Sequence, residues 1–213
     1  MGAMVGPEAF TEVRYLAHVK QMQALDLIPG WAAEFRKAFG RDSGGLMHEY
    51  RMEDADTVVV ALGSVLGTIK DTVDELRGKG HRIGVLGITC FRPWPTAAIR
   101  QALARAKRVV VVEKAFGVGL GGIVSANVRT SYGGSLDDVY TVIAGLGGRP
   151  ITRDSLTRVF LQCEEGNLAS LTFLDLNQAA VDRALARERE HRRTGPIAEA
   201  LLRDVGLVTA QLR

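Results

Sequence analysis

The chain has 213 residues, enough to bury a full core, and its 46% hydrophobic and 24% charged residues are the balance of a folded globular protein rather than a disordered one. Its formal net charge of +3 is small, and the densest basic run, Arg187 to Arg193, contains Glu188 and Glu190 and no aromatic, which argues against a nucleic-acid binder. No apolar run approaches the ~20 residues of a membrane span and the N-terminus lacks a signal peptide's pattern, so the chain reads as cytoplasmic, away from membranes.

Residues 8–40 read as two helices separated by Pro29-Gly30, with Phe10, Val13 and Ala17 lining the first and Trp31, Phe35, Ala38 and Phe39 lining the second. The stretch "GRDSGGLMHEYRMEDAD" reads as a polar connector. Residues 57–160 then alternate between apolar β-branched runs and amphipathic segments. "TVVVALG", "RIGVLGIT", "RVVVVEK" and "VYTVIAG" are strands; "SVLGTIKDTVDELRGKG", "PTAAIRQALARAK" and "GGIVSANVRTSY" are the helices between them. Strands that are continuous apolar runs are buried on both faces, which is the pattern of a parallel sheet with crossover helices. The expected fold is α/β: three layers, a mostly parallel sheet with helices on both faces, a helical lead-in and a helical C-terminal extension. Thr152 is a good N-cap for the helix "RDSLTRVFLQC", and "NQAAVDRALARERE" and "GPIAEALLRDVG" read as two further helices of the extension. The expected boundaries are 1–50 for the lead-in, 51–165 for the α/β domain and 166–213 for the extension.

Gly117-Val118-Gly119-Leu120-Gly121-Gly122 satisfies the letter of G-x-G-x-x-G. A dinucleotide site also needs those glycines in the first tight βα turn and an acidic residue ending the next strand. Here they follow the third strand, Glu113, Lys114, Ala115 and Phe116 intervene, and Asp137 and Asp138 precede the fourth strand. The loop therefore reads as structural, with a nicotinamide site as the weaker alternative. The first βα turn, with Gly63, Ser64, Gly67 and Thr68, is a candidate anion site at a helix N-terminus; the simpler reading makes Ser64 an N-cap. Glu113-Lys114 is the one charged pair at a strand end. His18, His48, His81 and His191 stand at no metal-like spacing and read as surface residues. The only two cysteines, Cys90 and Cys163, lie far apart, so no cysteine-based cluster is expected within this chain, and a reducing compartment is. No catalytic residue is assigned.

The order of motifs carries more than any one of them. "VVVALGSVLGTIKDTVDELRGKG", "RIGVLGITCFRPWP", "AKRVVVVEKAFGVGLGG" and "VIAGLGGRPIT" together resemble the C-terminal half of the alpha subunit of 2-oxoacid:ferredoxin oxidoreductases, the pyruvate:ferredoxin oxidoreductase family. Gly63, Ser64, Gly67 and Thr68 match its G-S-x-x-G-T turn, Arg92, Pro93, Trp94 and Pro95 its R-P-[FW]-P turn, and Gly145 to Arg149 its G-L-G-G-R turn. The resemblance covers about residues 6–165. It implies a transketolase C-terminal-like domain in a multisubunit complex, with thiamine diphosphate, Mg, iron–sulfur clusters and coenzyme A used by the whole assembly and none bound by this chain alone. Thiamine diphosphate-binding and ferredoxin-like subunits are the implied partners. Pro150 departs from the acidic residue usual after G-L-G-G-R, Glu113-Lys114 from the usual Asp-Arg, and the long tail is similar to phenylglyoxylate-type relatives. On this reading the chain is a non-catalytic assembly part of a 2-oxoacid oxidoreductase, with interface candidates Arg92, Pro93, Trp94, Pro95, Gly119, Gly121 and Gly122. Trp94 is an interface anchor or a residue folded onto its own core. The alternatives are a stand-alone nucleotide or coenzyme A binder, and a regulatory scaffold derived from the domain.

Overall fold

The computed structural model describes residues 4–191 and 197–206. The chain divides into two units, Met1–Leu174 and Asp175–Arg213. The first opens with one helix, α1 (Phe10–Phe39), where two were expected. Pro29 lies inside it. Proline's φ is itself helical, so the helix runs through Pro29 at the loss of one backbone N–H donor. Gly40 ends α1 in the left-handed conformation (φ 66°), its N–H donating to the Arg36 carbonyl.

The segment read as a connector contains a strand, β1 (Met47–Tyr50). The alternation then follows as expected: β2 (Thr57–Ala61), α2 (Val65–Arg77), β3 (Ile83–Ile88), α3 (Thr96–Ala102) and β4 (Arg108–Glu113). A two-residue-per-strand hairpin, β5 (Phe116–Gly117) and β6 (Gly121–Gly122), precedes α4 (Ile123–Ser131). β7 (Val139–Ile143), α5 (Arg153–Glu164) and a short strand β8 (Leu171–Phe173) complete the unit. β1, β5, β6 and β8 were not legible beforehand: each has four residues or fewer, too few to display a period.

The main sheet runs β1-β3-β2-β4-β7-β8, so it extends past both edges of the expected 51–165 domain. β3, β2, β4, β7 and β8 are parallel, in a register that sets Val59 against Val85 and Val110, and β1 pairs antiparallel along β3. Alternate residues of each strand feed opposite faces. Val59, Ala61, Val110 and Val112 pack with Ile69, Val73, Leu156 and Phe160 of α2 and α5. Val58, Val60, Val109 and Val111 pack with Ile99 of α3, Leu103 just after it, and Val124 and Val128 of α4. Both faces are covered, and the fold is the three-layer, mostly parallel α/β sheet expected.

Polar ties fasten the edges. Tyr50 Oη donates to Asp74 (2.6 Å) and Arg77 pairs with Asp54 (2.5 Å), binding the chain around β1 to α2. His81, expected at the surface, is instead half-buried and 2.6 Å from Glu164, joining the loop before β3 to the end of α5. Thr152 caps α5 as expected, its Oγ1 accepting from the Ser155 N–H.

The second unit holds α6 (Gln178–His191) and α7 (Ile197–Asp204). Asn177 Oδ1 accepts from the Ala180 N–H at the start of α6, and Asp204 pairs with Arg187. The side chain of His191 and the chain at 192–196 lie outside the described residues. Among the described residues no helix is long and apolar enough to cross a membrane.

Both thiols are buried, and desolvation pushes Cys163 up to about 12 and raises Cys90 as well. A thiol held neutral is a poor nucleophile. At pH 8, Ellman's reagent should therefore label neither cysteine in the folded chain and both after denaturation; rapid labelling of the native protein would contradict this packing.

Candidate functional site

In a doubly wound sheet, ligands and partners meet the crevice at the carboxyl ends of the strands, where the strand order reverses. Here the chain steps from β2 outward to β3 and returns across β2 to β4, so the reversal lies between β2 and β4. Their following loops lead to helices on opposite faces and leave a cleft of roughly 740 Å³. Gly63, Ser64 and Thr68 line one wall, Glu113 and Lys114 the other, and Gly145, Gly148 and Arg149 the third. The structure thus brings together three motifs that lie up to 86 residues apart, Gly63 and Arg149 being the extremes.

Of the four anion-site candidates, Gly63, Ser64 and Thr68 face this cleft and Gly67 does not. Ser64 is not the N-cap expected. Its backbone is already helical (φ −66°, ψ −23°), and its hydroxyl makes no capping bond. An N-cap side chain reaches the next N–H groups only from an extended backbone.

The glycine loop is organised by Glu113. This carboxylate, only 6% exposed, accepts from the backbone N–H of Val124 at 2.7 Å and of Ser125 at 2.8 Å. It therefore sits where a pyrophosphate would sit in a dinucleotide site, on the first free N–H groups of α4. Gly122 makes the approach possible, since a Cβ there would lie 2.1 Å from Glu113 Oε1. The remaining glycines shape the β5–β6 hairpin, with Gly119 at φ 79° and Gly121 at φ 103°. Phe116 stands edge-on to Phe173 at 5.1 Å, which pins the hairpin's base to β8. Its tip presents Val118 and Leu120, 92% and 71% exposed. These two residues were missed in the sequence, where they read as spacers between glycines. Glu113 and Lys114 do not form an ion pair with each other among the described residues; Glu113 is a capping group.

The R-P-[FW]-P turn is divided. Pro93 and Pro95 are buried, and Trp94 turns back on its own unit, donating from Nε1 to Ser131 Oγ at 2.7 Å and meeting Phe91 edge-on at 5.8 Å. Arg92 stays exposed, its guanidinium over the Phe91 ring. Of the interface candidates, Gly121 and Gly122 are buried as the second strand of the hairpin, and Arg92 and Gly119 remain at the surface.

Among the described residues no three His, Cys, Asp or Glu side chains come together as a metal-binding group. The two buried, separated thiols do not fit an iron–sulfur cluster, and with Glu113 on the α4 N–H groups this loop does not fit a cofactor's pyrophosphate.

This is a doubly wound α/β unit whose glycine loop is closed by the protein's own carboxylate and carries an apolar tip. Residues 55–156 match the family described as pyruvate:ferredoxin oxidoreductase core domain II. The pyruvate synthase subunit PorA of Methanosarcina barkeri is 36% identical over 184 residues, covering 83% of this chain and 46% of that protein. The subunit of the same name from Methanothermobacter thermautotrophicus is 34% identical over 182 residues, covering 84% and 45%. Among solved structures, the 2-oxoglutarate:ferredoxin oxidoreductase from Magnetococcus marinus, with 2-oxoglutarate, coenzyme A and succinyl-CoA bound, aligns with a TM-score of 0.46 at 21% identity, over 61% of this chain and 21% of that one. The α/β domain belongs to the pyruvate:ferredoxin oxidoreductase family. The chain spans a little under half the length of the curated relatives it matches.

Replacing Glu113 by Ala leaves two buried N–H groups without a partner and should cost about 2–3 kcal/mol by chemical denaturation. Glu113→Gln, which keeps one acceptor oxygen, should cost clearly less. Trp94→Ala should destabilise the isolated chain by about 2–3 kcal/mol, through lost burial and the lost bond to Ser131. An unchanged denaturation midpoint in either alanine variant would contradict the packing described.

Proposed function

We propose that this chain is the core-domain-II portion of a multisubunit 2-oxoacid oxidoreductase, and that it contributes contact surfaces rather than reacting groups. The assembled enzyme carries out oxidative decarboxylation of a 2-oxoacid, with thiamine diphosphate, Mg and iron–sulfur clusters held on other domains or subunits and coenzyme A as acyl acceptor. The observation that carries this reading is the β5–β6 hairpin. A helix N-terminus sealed by Glu113 offers no seat for a pyrophosphate, while Val118 and Leu120 project into solvent beside it. Exposed large apolar residues on a short, rigidly based hairpin suit a protein partner. Arg92, exposed at the neighbouring turn, is a second contact candidate on the same reading. Pyruvate is the 2-oxoacid the PorA relatives support; Pro150 and the long tail keep an aryl 2-oxoacid such as phenylglyoxylate as the other substrate class. The stand-alone nucleotide or coenzyme A binder, which would use Gly63–Thr68 or Gly117–Gly122, is not favoured: the PorA relatives support the oxidoreductase reading, and at the second loop Glu113 takes the donors.

Native mass spectrometry of the protein purified anaerobically from its own source, with a visible spectrum of the same fraction, tests the reading. It should travel with larger partners that carry thiamine diphosphate and iron–sulfur absorption. Val118→Glu with Leu120→Glu should release it from them while its own stability stays within about 0.5 kcal/mol, as for other exposed positions. A colourless chain running alone, or a complex indifferent to both charges, would count against the proposal.

A further inference from the structure

The cleft at the carboxyl ends of β2 and β4 holds polar groups that the fold itself leaves unused. At roughly 740 Å³ it has the size of a small-molecule site. The hydroxyls of Ser64 and Thr68 stand on one wall and the Lys114 ammonium on another; among the described residues none of the three has a hydrogen-bond or ion-pair partner. Four half-buried apolar side chains, Val65, Phe91, Ile123 and Ile151, line the same space. Apolar walls around a few polar groups are the make-up of a ligand pocket.

The charges and donors narrow what such a ligand can be. Glu113 is the one acidic residue of the lining, and its two oxygens already hold the Val124 and Ser125 N–H groups. Lys114 and Arg149 are the basic ones, so the balance of the lining favours an anion. A phosphate would need a row of backbone N–H groups at a helix start. At α2 those of Leu66 and Gly67 donate instead to the Gly63 and Ser64 carbonyls, each at 3.2 Å, and at α4 Glu113 is in the way. The side chains are what remains. A carboxylate has only two oxygens, and one ammonium with one or two hydroxyls satisfies them.

We infer that the cleft binds a small monocarboxylate with an apolar body. The carboxylate is held by Lys114 Nζ together with the Ser64 and Thr68 hydroxyls, and the body lies against Val65, Phe91, Ile123 and Ile151. A lysine ammonium is a compact point charge on a flexible stem, able to follow a carboxylate whose position the apolar body sets. The rim stays open because glycines form much of it: a Cβ at Gly63 or Gly148 would meet nothing within 4 Å. Every residue of the site belongs to the first unit. No bond is made or broken there, and the site does not rest on the family reading.

Titration of the full, nitrogen-15-labelled chain followed by NMR tests the inference, with 4-methylpentanoate and phenylacetate as probes. The backbone amides of Gly63, Gly145 and Gly148 should shift saturably, with a Kd of about 1 mM or tighter for at least one probe. 4-Methylpentanamide, which has the body without the charge, and acetate, which has the charge without the body, should each bind at least about tenfold more weakly. Inorganic phosphate should also bind more weakly than the probe. Lys114→Met should raise the Kd of the carboxylate about tenfold and leave that of the amide unchanged, while Lys114→Arg should retain most of the affinity. Lys114 is exposed, so the denaturation midpoint of Lys114→Met should match that of the parent chain, which separates lost binding from lost folding. Cleft amides that do not move with either probe at about 20 mM, well above such a Kd, overturn the inference. So does an amide that binds as well as its carboxylate, a phosphate that binds more tightly, or a Lys114→Met chain that binds the carboxylate like its parent.

Discussion

Glu113 ends the central strand β4 and points its carboxylate into the N-terminus of α4, and the surroundings of the cleft follow from that one contact. Two buried backbone N–H groups need an acceptor, and a carboxylate 6% exposed needs donors; each satisfies the other at 2.7 and 2.8 Å. The constraint propagates outward. Gly122 must lack a side chain to let the carboxylate in, so the chain entering α4 is held close to the strand end. The residues left between strand and helix are too many for a tight turn and fold into the β5–β6 hairpin, which Phe116 anchors on Phe173.

The same contact separates this domain from a dinucleotide-binding one that shares its architecture. In both, a glycine-rich loop follows a buried strand and opens a helix. What differs is who supplies the anion at the helix N-terminus: a ligand in one, the chain itself in the other. With the anion internal, the loop's outer surface is available for apolar residues, and Val118 and Leu120 occupy it. The cleft between β2 and β4 keeps Ser64, Lys114 and Arg149 along its walls without a cluster of metal-binding side chains among the described residues. The sheet is covered on both faces, the loop is capped from within, and large apolar side chains stay exposed at the hairpin tip and along the first half of α1.

Much of the fold was legible because the signals were local. The β2, β3, β4 and β7 runs are unbroken apolar stretches, and α2 and α5 carry their apolar residues at helical spacing, so each element declares both its type and its burial. Thr152 was readable as a cap because its partner, Ser155, is three residues away. Ser64 had the same residue type in the same place and does not cap, because its backbone conformation is set by the turn out of β2. Pro29 misled for the opposite reason: its ring removes one N–H donor but its φ is helical, and here the helix continues through it.

Sequence alone determined the alternation of buried strands and crossover helices and the ordered turns by which the family is recognised. These depend on residues within one turn or one strand of each other. Tertiary structure decided what no local pattern contains: that Glu113 reaches residues eleven and twelve positions on and closes the glycine loop, that Trp94 bonds Ser131 rather than facing outward, and that the turns at Gly63, Lys114 and Arg149 converge on one cleft. Each of these pairs groups brought together only by strand order, and strand order is settled by the burial of the whole sheet rather than by any segment of it.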